Sequence, residues 1–314
     1  MPALNEIQQQ ILGKKANAQD EVRRRYLKRL AKYTGRDTIF YGSAFTSNKG
    51  PVVPSHVMAV TLEDVQAFMS ALHGLKGESL DLILHSPGGS MEAADQVVQY
   101  LRAKYQHIRA IVPQNAMSAA SMISCACDEI VMGKHSAIGP IDPQVTFPTS
   151  TGTFTAPAQA ILDEFEQAKS EVASDPSSAV LWVHKIQAYP HGFLTLCQTT
   201  IDLSREKVAQ WLNEYMFADI DDKSQKPGDR IASWLADAGL HKTHGRPITV
   251  AQAREQGLRV RSLEEDQTLQ ELVLSAFHAT MVTFGVTNCV KIVENHNGRG
   301  VYLQVQVQAV SAPQ

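Results

Sequence analysis

Residues 80–145 leave little freedom in what this chain can fold into. Three short apolar runs, 80–85, 109–113 and 129–132, read as buried strands, and residues 91–105 and 116–127 between them read as helices. Strand, helix, strand, helix, strand in close succession requires a parallel sheet with right-handed crossovers, and so an α/β fold. Open sheets of this kind keep their chemistry at the carboxyl ends of the strands. At the first such end stands Pro87-Gly88-Gly89, a backbone that can approach a ligand with free N–H groups because no Cβ intervenes. At the second stands Ser118, flanked by Ala116-Met117 and Ala119-Ala120. A hydroxyl there lies beside unpaired N–H groups at the positive end of a helix, where a developing oxyanion is stabilised. The plainer readings are a tight turn at Gly88-Gly89 and a helix N-cap at Ser118.

Ser86-Pro87-Gly88-Gly89 and Ala116-Met117-Ser118-Ala119-Ala120-Ser121-Met122 together resemble the superfamily of Clp proteases, signal peptide peptidases and crotonases. The separation of Gly89 and Ser118 (118 − 89 = 29) suits the Clp arrangement. A closer resemblance covers most of the chain. RRRYLKRLAKYTGRDTIFYGS, LDLILHSPGGS, RAIVPQNAMSAASMI, GPIDPQ, THGRPIT and IVENHNG are similar to the serine dehydrogenase proteinase family of serine proteases. The resemblance implies a Clp/crotonase-like parallel-sheet core, Ser118 as nucleophile, and an oxyanion hole from the Gly89 and Ala119 amides. It also implies a homo-oligomer, since the fold generally assembles.

A formal charge of −3 gives no electrostatic case for nucleic acid as a partner. No stretch approaches the roughly 20 consecutive apolar residues of a membrane helix, and the first 30 residues are polar, so no membrane span and a cytoplasmic location are expected. Cys125, Cys127, Cys197 and Cys289 are too scattered for a disulfide framework, and Cys125 and Cys127 read as small core residues rather than metal ligands. No motif implies a metal or a cofactor.

The chain divides into an N-terminal helical arm (1–36), a catalytic core (37–263) with a helical insertion (158–238), and a helix-and-strand tail (264–314). In the arm, Ile7, Ile11, Leu12, Tyr26, Leu27, Leu30 and Ala31 fall at mixed helical spacings, with a break near Gly13. That segment is either a subunit contact or a brace within the chain, while Arg23-Arg24-Arg25 reads as a solvated face. Strands are expected at 37–41 and 57–61, and a helix from Thr61 as cap to about residue 75. Residues 146–157 are rich in Thr, Ser, Gly and Pro and read as a linker or active-site loop. Helices are expected at 160–173, 178–187, 192–202, 204–217 with Ser204 as cap, 228–238, 251–256 and 264–282, and a last strand at 301–307.

A serine is a poor nucleophile without a positioned base. The histidine of the Clp pattern would fall near Ile141-Asp142-Pro143, where this chain has none, and His135 lies too early. Two bases compete. His244, in Thr243-His244-Gly245-Arg246, could act with Asp142 to orient it. Lys169 stands 51 residues after Ser118 (169 − 118 = 51) and could form a Ser–Lys dyad of the signal peptide peptidase kind if desolvated; against that, its helix is charged and Glu166 is an i,i+3 partner. The favoured expectation is a serine peptidase acting on polypeptide through an acyl-enzyme on Ser118, with or without a partner protein. A crotonase-type acyl-thioester enzyme and a non-catalytic oligomeric scaffold of the same fold are the alternatives.

Overall fold

A computed structural model describes residues 6–7, 10–11, 18–149, 152–220 and 226–305. The break expected near Gly13, Leu12 and the end of the 301–307 run lie outside them. The strands are β1 (Asp37–Ser43), β2 (Ser79–His85), β3 (His107–Val112), β4 (Asn115–Ala116), β5 (Glu129–Met132), β6 (Ala137–Ile138), β7 (Gln144–Thr149), β8 (Gly152–Pro157), β9 (Val260–Ser262), β10 (Cys289–Asn295) and β11 (Gly300–Gln304). The chain forms two compact units, residues 1–138 with 247–314, and residues 139–246.

The first unit is built on a seven-stranded sheet of order β11-β10-β1-β2-β3-β5-β9. β1, β2, β3, β5 and β9 run parallel, and β10 and β11 are added antiparallel at one edge. Strand periodicity sorts the side chains between the two faces. Phe40, Ile83, Ile111 and Val131 stand in one row across the register and pack, with Ile292, under the helices Ala18–Thr34 and Gln267–Val286. The N-terminal helix therefore buries Val22, Tyr26, Leu27 and Leu30 within its own chain and acts as a brace. Gln267–Val286 is long and apolar enough to cross a membrane by length and composition, and 67% of its most apolar window is buried inside the chain.

Of the arginine cluster only Arg25 is exposed; Arg23 and Arg24 turn toward the chain. Arg23 is fully buried; its Nε donates to Glu294 Oε2 at 2.7 Å and its Nη1 to Thr283 Oγ1 at 3.0 Å. Arg24 Nε donates to the other oxygen of the same carboxylate at 2.5 Å. The helix is thereby tied to β10 through a carboxylate with no exposure. Breaking a buried pair typically costs about 3–5 kcal/mol; here Arg24 stays on Glu294 and offsets part of that loss. Arg23→Ala should therefore lower the thermal midpoint far more than Arg25→Ala, measured by circular dichroism.

Other local expectations also change. Residues 57–61 do not form a strand. Ser55–Met58 is a short helix, and Val60 makes a single parallel bridge to Gly89. The next helix runs Glu63–Leu72, and Thr61 does not cap it through its side chain; instead the Asp64 carboxylate accepts the Thr61 N–H at 2.8 Å. β10, unexpected from sequence, supplies the partner that β1 needs on its open side.

In the second unit, the Thr- and Pro-rich stretch is a β-hairpin, β7 paired with β8. Ala158, Ile161, Phe193 and Cys197 pack with Val145 to form its core, and Phe147, Tyr189 and Phe193 meet edge to face or tilted. Phe193–Trp211 is one helix that continues into a π-helical turn at Leu212–Met216, where sequence suggested two. Ser204 is mid-helix and buried, and its hydroxyl donates to Ile141 O at 2.9 Å.

Candidate active site

The two turns singled out from sequence are stitched together in the first unit. Ser86 N–H donates to Asn115 O and Met117 N–H donates to Ser86 O, both at 3.0 Å, so the short strand β4 lies alongside the turn that follows β2. That turn needs its glycines. Gly88 (φ +93) and Gly89 (φ +152) occupy backbone conformations that side-chain-bearing residues rarely adopt. A Cβ on Gly88 would lie 2.4 Å from Ser118 Cβ and 2.9 Å from Ala119 N, so the glycine backbone sits directly against the serine turn. The N–H groups of Gly89 and Ala119 find no acceptor among the described residues.

Ser118 itself has φ 51 and ψ −121, one of two non-glycine residues with positive φ among the described residues. It precedes the helix Ala119–Cys125 and makes no side-chain capping hydrogen bond, which rules out the N-cap reading. The helix is only seven residues long, so any stabilisation of an anion here rests on the Ala119 N–H more than on a macrodipole. Residues held in such sparsely populated backbone regions carry strain of about 1–3 kcal/mol and concentrate at functional sites. Ser118→Gly should relieve this strain and, after the entropy cost of glycine, raise stability by about 1 kcal/mol in thermal or denaturant unfolding. A loss of stability in Ser118→Gly equal to that in Ser118→Ala would contradict the strained geometry.

Ser121 and Ser124, on the same helix, are fully buried and donate to the Ala116 and Ala120 carbonyls. His85, at the end of β2, is buried without exposure between Phe45 and Phe277. Burial pushes its pKa down to about 3, so the ring is neutral. Its Nδ1 faces the Asn115 N–H at 3.4 Å and its Nε2 the Thr46 hydroxyl at 3.0 Å, which leaves His85 holding β4 rather than serving as a base. Burial also pushes the Cys125 and Cys127 thiols up to about 12, leaving them inert core residues. No cluster able to hold a metal occurs among the described residues.

The second unit carries the other candidates. Asp142, 3% exposed, accepts from Gln144 Nε2 at 2.8 Å through one oxygen and lies 2.8 Å from His244 Nδ1 through the other. An ionised Asp142 fixes the proton on Nδ1 and leaves Nε2 as a lone-pair base. The Asp142 loop is held by Ile141 N–H to Leu235 O and by the Ser204 hydroxyl. Gln144 and Ser204 were not visible as site residues from sequence. His135 lies with Nε2 2.9 Å from Pro113 O, a strand-end role. Lys169 is 58% exposed and bonds both Glu166 oxygens at 2.8 Å, so the desolvation that a lysine base requires is missing.

Residues 52–282 match the family model of the ClpP-like SDH-type serine proteinases. Two uncharacterized proteins of Methanocaldococcus jannaschii are similar to the chain, one 32% identical over 68% of this chain, the other 29% identical over 65%. The chain spans 65% and 59% of their respective lengths. A solved structure of a mutant 1510-N membrane-bound stomatin-specific protease overlaps 37% of this chain and 58% of its own, with 18% identity and a TM-score of 0.27. That overlap is too slight to bear on chemistry.

Proposed function

Because the chain belongs to the ClpP-like SDH-type serine proteinases, we propose that it hydrolyses peptide bonds through an acyl-enzyme on Ser118, with His244 as general base. The observation that carries this reading is the strained, uncapped Ser118 packed against Gly88, with the Gly89 and Ala119 amides unpaired nearby in the same two turns. Ser118 Oγ attacks the scissile carbonyl and its proton passes to His244 Nε2. Asp142 holds the ring through Nδ1 and balances the imidazolium. The carbonyl oxygen becomes an oxyanion that accepts from Gly89 and Ala119 N–H, the step at which such donors contribute most. The intermediate collapses, the amine leaves with the proton from His244, and the acyl group stays on Ser118. Water, deprotonated by the same histidine, then releases the acid.

No metal or redox step enters this sequence, and a polypeptide is the substrate. A panel of fluorogenic peptide amides and an acyl-coenzyme A thioester, offered to the full chain, tests the reading. Hydrolysis of peptides without thioester turnover is the expected result. Thioester turnover alone would move the chain to crotonase-type chemistry, and no turnover of either would favour a scaffold.

A further inference from the structure

An N–H stabilises an oxyanion only if it already points where the charge will develop. The Gly88-Gly89 turn is held in that sense by a buried ion pair in the first unit. Lys291, on β10, and Asp64, at the start of the helix Glu63–Leu72, are 4% and 3% exposed. Lys291 Nζ donates to both Asp64 oxygens at 3.0 Å and to Ala59 O at 2.6 Å, using all three of its hydrogens. Asp64 Oδ2 also accepts from the Thr61 N–H at 2.8 Å and from the Tyr41 hydroxyl at 2.7 Å.

Two arms run from this pair to the turn. In the first, Ala59 and Thr61 are clamped on either side of Val60. Val60 N–H donates to Gly88 O at 2.7 Å, and Ser90 N–H donates to Val60 O at 2.9 Å, so the segment brackets Gly89. The fit leaves no room, since a Cβ on Gly89 would lie 2.4 Å from Val60 O. In the second, the Tyr41 oxygen interacts with the Ser86 side chain, and Ser86 Oγ accepts the Gly88 N–H at 3.2 Å.

Stability gives little reason for this arrangement. A buried ion pair loses so much hydration that an apolar pair of similar volume is often as stable or more so. What the charges supply, and apolar side chains cannot, is a set of donors and acceptors converging on Ala59, Thr61 and Tyr41. We propose that Lys291, Asp64 and Tyr41 are positioning residues that aim the Gly89 N–H, an inference that rests on Gly89 serving as an oxyanion donor.

The test compares wild type, the double variant Lys291→Met/Asp64→Leu and Tyr41→Phe, reading circular dichroism, the rate of fluorophosphonate labelling at Ser118, and peptide kcat and KM. The double variant removes both charges together and leaves none buried alone. It should keep a cooperative fold and a near-normal KM while labelling and kcat fall about 10²–10³-fold, the size of losing an oxyanion donor. Tyr41→Phe cuts one arm without stranding a charge and should lose about 10-fold, as outer-shell hydrogen bonds commonly do. A folded double variant, or a Tyr41→Phe protein, that labels at the wild-type rate would overturn the inference. Should the double variant not fold, Tyr41→Phe decides alone. Wild type that carries no adduct on Ser118 would instead remove the functional reading, and this inference with it.

Discussion

Ser118→Ala is expected to abolish peptide hydrolysis while leaving the fold in place. The substitution keeps the strained backbone and removes one oxygen that makes no hydrogen bond among the described residues, so nothing in the packing is disturbed. Loss of a serine nucleophile from an assembled acyl-transfer site costs on the order of 10⁶-fold in kcat. The unfolding free energy should change by less than about 0.5 kcal/mol. Ser121→Ala and Ser124→Ala form the contrast. Each removes a buried hydroxyl that is hydrogen-bonded to a carbonyl, so both should lower stability by about 1 kcal/mol and leave kcat per folded molecule unchanged. Equal activity in Ser118→Ala and wild type, measured on material free of contaminating proteases, would remove Ser118 from the chemistry.

The second large effect belongs to His244. His244→Ala should lower the acylation rate by about 10²–10⁴-fold, the usual contribution of a general base. Its KM should stay close to wild type, because the base acts in the transition state and not in substrate binding. Asp142→Asn, which keeps the shape but lets the amide favour the wrong ring tautomer, should fall in the same direction. Lys169→Ala should stay near wild type in both parameters, since an exposed ion pair with Glu166 contributes little. Activity lost in Lys169→Ala and kept in His244→Ala would reverse the assignment and establish a Ser–Lys dyad.

The parts of the fold that were legible in the sequence were those whose burial pattern is local. β2, β3 and β5 carry continuous apolar runs because their residues are covered from both faces, and a continuous run reads as a buried strand. The hairpin of β7 and β8 was illegible for the opposite reason. Most of β8 is exposed, so no apolar alternation marks it, and its Thr and Gly content resembles a loop. Val57 and Val60 carry β-branched side chains without forming a strand; the segment is spent on bracketing the glycine turn. Ser204 has the sequence context of a cap but sits in mid-helix, where its hydroxyl satisfies Ile141 O. Arg23 looked solvated because its partner, Glu294, lies 271 residues away, and no local pattern encodes such a pair.

The site divides along the same line. Gly88, Gly89 and the small residues around Ser118 are a local signal, since positive φ and close backbone approach demand glycine and alanine there. The Asp142–His244 contact spans 102 residues and was approachable only through resemblance. Lys291 gave one hint, a charged residue within the apolar run Cys289-Val290-Lys291-Ile292-Val293, but its partners Asp64 and Tyr41 come from distant elements.

One covalent experiment decides whether Ser118 is the nucleophile. The full chain is incubated with a fluorophosphonate, digested, and mapped by mass spectrometry. One adduct is expected, on the peptide containing Ser118 and at that residue, formed at a rate that falls when His244 is replaced by alanine and absent in Ser118→Ala. No adduct, or an adduct elsewhere that persists in Ser118→Ala, would contradict that assignment.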